Sequence, residues 1–303
     1  MFDKITKPKH NMMFLLIGVF AMALAGTLIK LTRANFYGIA FYRLFIAAVM
    51  LFIYSPVKIS RSMFKVSPKE LFWVMIGGVF FSLHLILWIY GLTTVGVFEA
   101  MVIVATNPIY TTIGAYFIFG ECPRDKFLPA FILAFIGTVL TFVDGFRGEM
   151  GNVTGMFSVF ISTLFFSAYV LTGKKARKRT TTNSYIFMLY SASALICLIF
   201  ILATGSPLIN YTTRNYVFFI ILALVPTVIG HGSLNHCVGY FRASTVSMLT
   251  LLEPVIGSVA AYMLLGEGVG EYSTFGFVLI VFGIALLFKT EIFSGIKYVR
   301  GKR

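Results

Sequence analysis

Ten apolar runs, separated mostly by connectors too short to hold a folded domain, dominate this chain. They cover roughly residues 12–29, 36–54, 71–91, 96–119, 127–144, 151–172, 183–204, 216–240, 244–265 and 273–289. A helix rises ~1.5 Å per residue, so each run approaches the ~17–25 residues that cross a hydrocarbon layer of ~30 Å. Inside lipid the backbone must satisfy its own hydrogen bonds, which leaves helices as the economical element. The chain is 58% hydrophobic and 12% charged, with a mean hydropathy of +0.90. That composition supplies too few polar faces for a soluble bundle. The expected fold is an all-α polytopic membrane protein with ten transmembrane helices. Cys122, Cys197 and Cys237 all lie in or beside apolar runs, so no disulfide framework is expected.

A formal charge of +14 over 303 residues would suggest nucleic acid as partner in a soluble chain, but its distribution argues otherwise. With a cytoplasmic N-terminus and ten crossings, 20 of the 25 Lys and Arg fall on the inner side, in the N-terminal segment, at 58–69, 124–126, 174–179 and 242, and from 289 onward. Only Lys30, Arg33, Arg147 and Arg214 fall outside, with Arg43 inside the second span. This positive-inside pattern places both termini in the cytoplasm. The charge is read as an orientation signal with some attraction to anionic membrane lipids, and no nucleic-acid partner is expected. Lys4, Lys7 and Lys9 precede the first apolar run as in a signal peptide. No small-residue cleavage site follows, so a retained first span is expected.

The chain also repeats itself. Residues 107–121, NPIYTTIGAYFIFGE, and residues 253–267, EPVIGSVAAYMLLGE, share a Pro, an Ala, a Tyr, a Gly and a Glu in register at a spacing of 146. Two copies of one unit are therefore expected, a five-helix repeat over 11–146 and another over 147–290, followed by a basic cytoplasmic tail at 291–303. Five crossings is an odd number, so the second copy enters the membrane inverted. Inverted repeats are the architecture of alternating-access carriers, whose sites lie near the midplane.

Glu99 and Glu253 are the carboxylates set well within apolar segments, and Arg43 is the matching guanidinium. A charge at the bilayer centre costs ~2.5–3.5 kcal/mol on insertion scales, so each must face the interior, pair or lose its charge. Arg43 either binds an anionic group of a substrate, bridges to Glu99, or packs structurally as a snorkelling arginine. Glu99 is either part of the path or a wet carboxylate at a span end. Glu253 precedes Pro254, which loosens the helix around it; it either recognises substrate, couples transport to protons, or packs as a neutral group. Polar positions recur at helical spacing on four spans: His84 and Trp88; Glu99, Thr106, Asn107 and Tyr110; His231 and Asn235, with His236 beside them; and Ser247, Thr250 and Glu253. Such stripes either line a shared central path or make ordinary interhelical hydrogen bonds. The substrate path is expected to comprise Arg43, His84, Trp88, Glu99, Asn107, Tyr110, His231, Asn235, His236 and Glu253. No metal site or cofactor is expected, because no converging cysteine or carboxylate stands near the histidines. The Gly120-Glu121 and Gly266-Glu267 pairs read as helix ends, with glycine stopping one helix and glutamate capping or orienting the next.

The motifs FYRLFIAAV at 41–49, the two Pro-to-Gly-Glu stretches, and GFVLIVFGIAL at 276–286 resemble the drug/metabolite transporter superfamily, in particular the EamA-type permeases. The resemblance runs over roughly 11–290. It implies two five-helix units around a central cavity and an inner-membrane solute carrier, often an exporter of amino acids or other small metabolites. Arg43, Pro108, Gly120, Glu121, Glu253, Pro254, Gly266 and Glu267 match the family's motif positions. Asn107 stands where the family commonly has a small residue such as Ser, and Glu99 and the histidines are not family signatures. Export of amino acids or related zwitterionic or aromatic metabolites is the first expectation. Uptake or exchange of a nucleoside-like metabolite, vitamin or S-adenosyl compound is the alternative. A membrane structural subunit or pore, and an enzyme acting on lipid-linked groups, are the readings outside transport. A monomer or weak homodimer is expected, with protons as a candidate coupling ion.

Overall fold

The computed structural model describes residues 8–121, 127–147, 153–176, 181–268, 271–272, 274–283 and 286. The described residues are helical almost throughout. The chain runs α1 (Pro8–Ala23), α2 (Ala25–Thr32), α3 (Phe36–Tyr54), α4 (Pro56–Met63), α5 (Pro68–Leu92), α6 (Val97–Val104), α7 (Asn107–Phe119), α8 (Phe127–Arg147), α9 (Val153–Ala176), α10 (Thr182–Thr204) and α11 (Thr213–Leu222). A π-helical turn at Ala223–His231 leads into α12 (Gly232–Val238); α13 (Ala243–Leu249), a 3-10 turn (Thr250–Leu252) and α14 (Glu253–Leu265) follow. An apolar helix α15 (Thr274–Gly283) comes last.

Among the described residues eight helices are long and apolar enough to cross a membrane, from His10–Thr32 to Ala243–Leu265. In the fifth and tenth of the expected ten segments the apolar helical stretches are shorter, Phe127–Gly137 within α8 and Thr274–Gly283. Lys4, Lys7, the cluster at 177–179 and the basic tail lie outside the described residues.

Local sequence sets the helix ends. Asn35 accepts from Tyr37 N–H at 2.9 Å to start α3. Ser67 and Glu70 form a capping box around Pro68 at the start of α5, satisfying donors that a helix N-terminus otherwise leaves unpaired. Gly120 and Gly266 adopt left-handed φ values of 66° and 69°, where a side chain is strained, and they stop α7 and α14. Both proline-bearing spans are interrupted. The span Val97–Phe119 breaks between α6 and α7 at Asn107-Pro108, and Ala243–Leu265 passes through the 3-10 turn just before Glu253-Pro254.

Helices α5 and α9 pack along their length at the centre. Small residues allow close approach: Gly78 lies against Ala192, and Ser193 donates to the Gly78 carbonyl at 3.0 Å. Gly18 and Gly230 let α1 and the π-helical turn meet backbone to backbone. Phe, Leu, Ile and Val side chains cover the outside, among them Phe45, Phe72, Phe117 and Ile199, as expected of a lipid-facing surface. Tyr262 is also 63% exposed and faces outward.

Candidate functional site

Where α1, α2, α3, α5, α6, α9, the π-helical turn and α14 converge, they enclose a cavity of about 30 Å³ lined by Met22, Ala25, Arg43, His84, Leu85, Trp88, Val104, Phe166, His231 and Glu253. A water needs ~10–15 Å³ of such space, so about two fit and a metabolite does not.

Arg43 is 1% exposed and is held by one element that the sequence signals only indirectly. Pro226, inside the span, has no N–H to give the Leu222 carbonyl, and an interior proline disrupts the regular ladder. The Thr227 hydroxyl takes the vacated role by donating to Leu222 O at 2.8 Å. The turn widens into the π-helical stretch, a geometry often found at functional sites. The same Thr227 oxygen accepts from Arg43 Nε at 2.6 Å, while Tyr190 donates to the Thr227 carbonyl at 2.9 Å. Arg43 Nη1 is left buried without a partner.

Glu253 opens α14 beside Pro254 and is 9% exposed. Its Oε1 is likewise buried and unpartnered, at the positive end of a half-helix. Arg43 and Glu253 line the same cavity yet make no ion pair with each other.

His84 Nδ1 lies 3.1 Å from the Ser162 carbonyl, and the Ser162 hydroxyl donates to the His84 carbonyl at 2.9 Å. The Ser162 hydroxyl also lies 2.8 Å from Nδ1, so one serine holds the ring through both its backbone and its side chain. His231 stands edge-on to Phe81 at 4.8 Å and is flanked by Phe166 at 5.9 Å and Tyr169 at 6.0 Å between centroids. Phe166 and His231 thus give the cavity an aromatic side, backed by Phe81 and Tyr169.

Of the ten residues expected on the path, Arg43, His84, Trp88, His231 and Glu253 meet at this cavity. The other five do not line it. Glu99 is 5% exposed, which removes the wet span-end reading, and its carboxylate folds back against Gly96 at the start of its own helix. Asn107 Oδ1 accepts from Thr111 at 2.8 Å and Ser167 at 2.7 Å, locking α7 to α9. Tyr110 meets Phe160 edge to face. Asn235 donates to the Tyr169 hydroxyl and to the His231 carbonyl, supporting the aromatic wall from behind. His236 reaches Thr182 and Asn11 at 3.2 and 3.3 Å, away from the cavity. Thr227, Tyr190 and Ser162, which position Arg43 and His84, carried no motif; Pro226 was the one available signal. Among the described residues no group of three His, Cys, Asp or Glu side chains can hold a metal ion.

A bundle of apolar spans with both charge signs fronting a small buried cavity fits a membrane protein that handles small solutes, a secondary transporter of small metabolites. The chain belongs to the EamA-like transporter family, whose profile matches residues 11–143 and again 153–289. It is similar to an uncharacterized transporter of Clostridium kluyveri, 23% identical over 78% of each chain. It is also similar to a probable amino-acid metabolite efflux pump of Escherichia coli, 26% identical over 61% of this chain and 65% of that one, and to a Salmonella typhimurium pump of the same description at 23% identity over 61% and 65%. A crystal structure superposes with a TM-score of 0.72 over 92% of this chain and 98% of the other at 17% identity, a likeness of fold.

Proposed function

We propose that this carrier exports amino acids or related zwitterionic or aromatic metabolites by alternating access, its ten helices forming two inverted five-helix repeats over 11–146 and 147–290, with both termini cytoplasmic in the inner membrane. One observation carries the substrate class: Arg43 Nη1 and Glu253 Oε1 are both unpartnered, border one cavity and do not pair with each other. A carboxylate on Arg43 and an ammonium near Glu253 would satisfy both, the guanidinium fork being suited to carboxylates. The two groups come from α3 and α14, one in each proposed repeat, so a bound zwitterion bridges the halves. The efflux-pump descriptions of the Escherichia coli and Salmonella relatives support the same class. The duplicated family match supports the repeats, and the basic inner loops support the orientation.

The cavity is too small for such a substrate, which supports a closed conformation that the halves must part to load. We further propose that Glu253 carries a coupling proton, because one carboxylate cannot hold a proton and a substrate ammonium with equal ease. The ring wall around His231 favours a second reading, a planar nucleoside-like cargo exchanged or taken up. Counterflow into proteoliposomes preloaded with an amino-acid mixture decides between them: saturable uptake of labelled amino acid is expected. Stimulation by nucleosides alone would favour the second reading, and linear, unsaturable flux would sink carrier transport altogether.

A further inference from the structure

Two ion pairs, far apart in the molecule, use the same two sequence positions of the repeated unit. Glu267 follows the stop glycine of α14 and receives Lys30 Nζ, from the last turn of α2, at 2.6 Å. Its other oxygen accepts the Val97 N–H at the start of α6 at 2.9 Å. Glu121 follows the stop glycine of α7 and receives Lys174 from the last turn of α9. The glutamates are 146 positions apart and the lysines 144.

Even the approach of the chain is repeated. Gly120 N–H bonds Tyr116 O and Glu121 N–H bonds Ala115 O, as Gly266 does to Tyr262 and Glu267 to Ala261. Each pair therefore joins the first span of one family match to the broken span of the other. The two pairs lie at opposite ends of the bundle. The span Val97–Phe119 starts at the first cluster and ends beside the second, 23 residues and ~34 Å away.

We infer that these two pairs are alternating gates, each tying the halves together at one membrane face, so that opening a face breaks its own pair while the other holds. This rests on the inverted-repeat reading above. Lys30, Glu121, Lys174 and Glu267 are positioning residues: none lines the cavity, and they act by setting which face of it opens. The pairs are not equivalent. Glu267 also holds the α6 N-terminus, whereas Glu121 Oε2 has no partner. Lys174 instead lies over the Phe119 ring at 5.2 Å, and the Glu121 side chain is only 9% exposed against 26% for Glu267. A less exposed pair is less screened by solvent, so the Glu121–Lys174 gate is the stronger of the two.

The test places a reporter cysteine at the cavity, Ala25→Cys, in the full chain with Cys122, Cys197 and Cys237 changed to Ala, reconstituted in sided vesicles. A membrane-impermeant thiol reagent is applied from each face. Glu267→Gln is expected to speed labelling from the Lys30 face by about two- to fivefold and to slow it from the other, the range an exposed ion pair provides. Glu121→Gln is expected to do the reverse, by more. The charge swap Lys30→Glu with Glu267→Lys is expected to restore the ratio only in part, because a lysine at 267 cannot accept the Val97 N–H. Unchanged rates, or equal increases from both faces for both variants, would overturn the gating assignment. Separate cysteines at Lys30 and Lys174 check the topology independently. Labelling of both from one face would refute the inverted arrangement, whereas opposite faces without the reciprocal shift refute the gates alone.

Discussion

Thr227→Val is the most telling single change at the cavity. It keeps the volume and branching of the side chain and removes only the hydroxyl that accepts from Arg43 Nε and donates to Leu222 O. A hydrogen bond to a charged group is worth ~1.5–3 kcal/mol, and leaving a buried group unpaired costs a comparable amount. The Leu222 carbonyl loses the hydroxyl but keeps the Thr227 N–H, its i→i+5 donor in the π-helical turn, so the lost Arg43 bond carries the effect. The guanidinium, freed from its tether, is expected to swing toward Glu253, and a substrate would then have to break that pair to bind. Since ~1.4 kcal/mol is a factor of ten, the apparent affinity in proteoliposome counterflow is expected to fall roughly 10- to 150-fold, with a lower melting temperature in detergent. Thr227→Ser keeps the hydroxyl and is expected to recover most of both. The reasoning fails if Thr227→Val binds and melts like the parent, or if Thr227→Ser is as impaired as Thr227→Val. The Tyr190 bond to the backbone carbonyl of residue 227 survives either change, so a uniform collapse of the π-helical turn would also show as loss in both variants.

Asn107→Ala removes an acceptor shared by Thr111 and Ser167 and is expected to cost ~2 kcal/mol at about 1 kcal/mol per hydrogen bond. The loss should appear in thermal unfolding with the counterflow KM unchanged; a raised KM at parental stability would return Asn107 to the substrate path. Gly18→Val drives a side chain into Ser233 and the Gly230 carbonyl, where overpacking costs ~1–3 kcal/mol. It is expected to lower the melting temperature of the detergent-solubilised protein, and an unchanged value would show that α1 and the π-helical turn are not tightly apposed.

What the sequence made legible is what depends on near neighbours. Apolar run length gave the helices, the prolines marked where two spans break, and the glycines before Glu121 and Glu267 marked where α7 and α14 stop. Spacing along a helix gives its polar face but not what faces it. That is why Asn107 and Glu253, each just before a proline at matching positions, part company: one is consumed by Ser167 on α9, the other fronts the cavity. His231 and His236 were five residues apart and read together, yet only His231 reaches the cavity. The glutamates after the stop glycines read as caps, because their lysines lie 237 and 53 residues away along the chain. Thr227 was invisible for a related reason. A threonine after a proline in an apolar run is unremarkable until the widened turn turns its oxygen toward Arg43.

The unpaired atoms of the cavity bear on how the proposed export is driven. Closing protein around a guanidinium and a carboxylate that do not pair costs several kcal/mol per ion unless something satisfies them. A zwitterion supplies partners for both at once, and a proton neutralises Glu253 without one. On the proposed mechanism the carrier is expected to cross between faces readily when loaded or when protonated, and reluctantly otherwise, which would make substrate and proton alternatives at a single carboxylate. Counterflow should then exceed net efflux without a pH gradient, and a gradient acid on the trans side should raise net efflux. Glu253→Gln removes the charge while keeping the shape, so net movement is expected to lose its response to the pH gradient while exchange, weakened by the lost ammonium contact, persists. If the glutamine variant still answered the gradient as the parent does, Glu253 would not be the coupling group. If the parent moved substrate equally with and without a gradient, the carboxylate would serve recognition alone, and the cost of closing would have to be met entirely by the cargo.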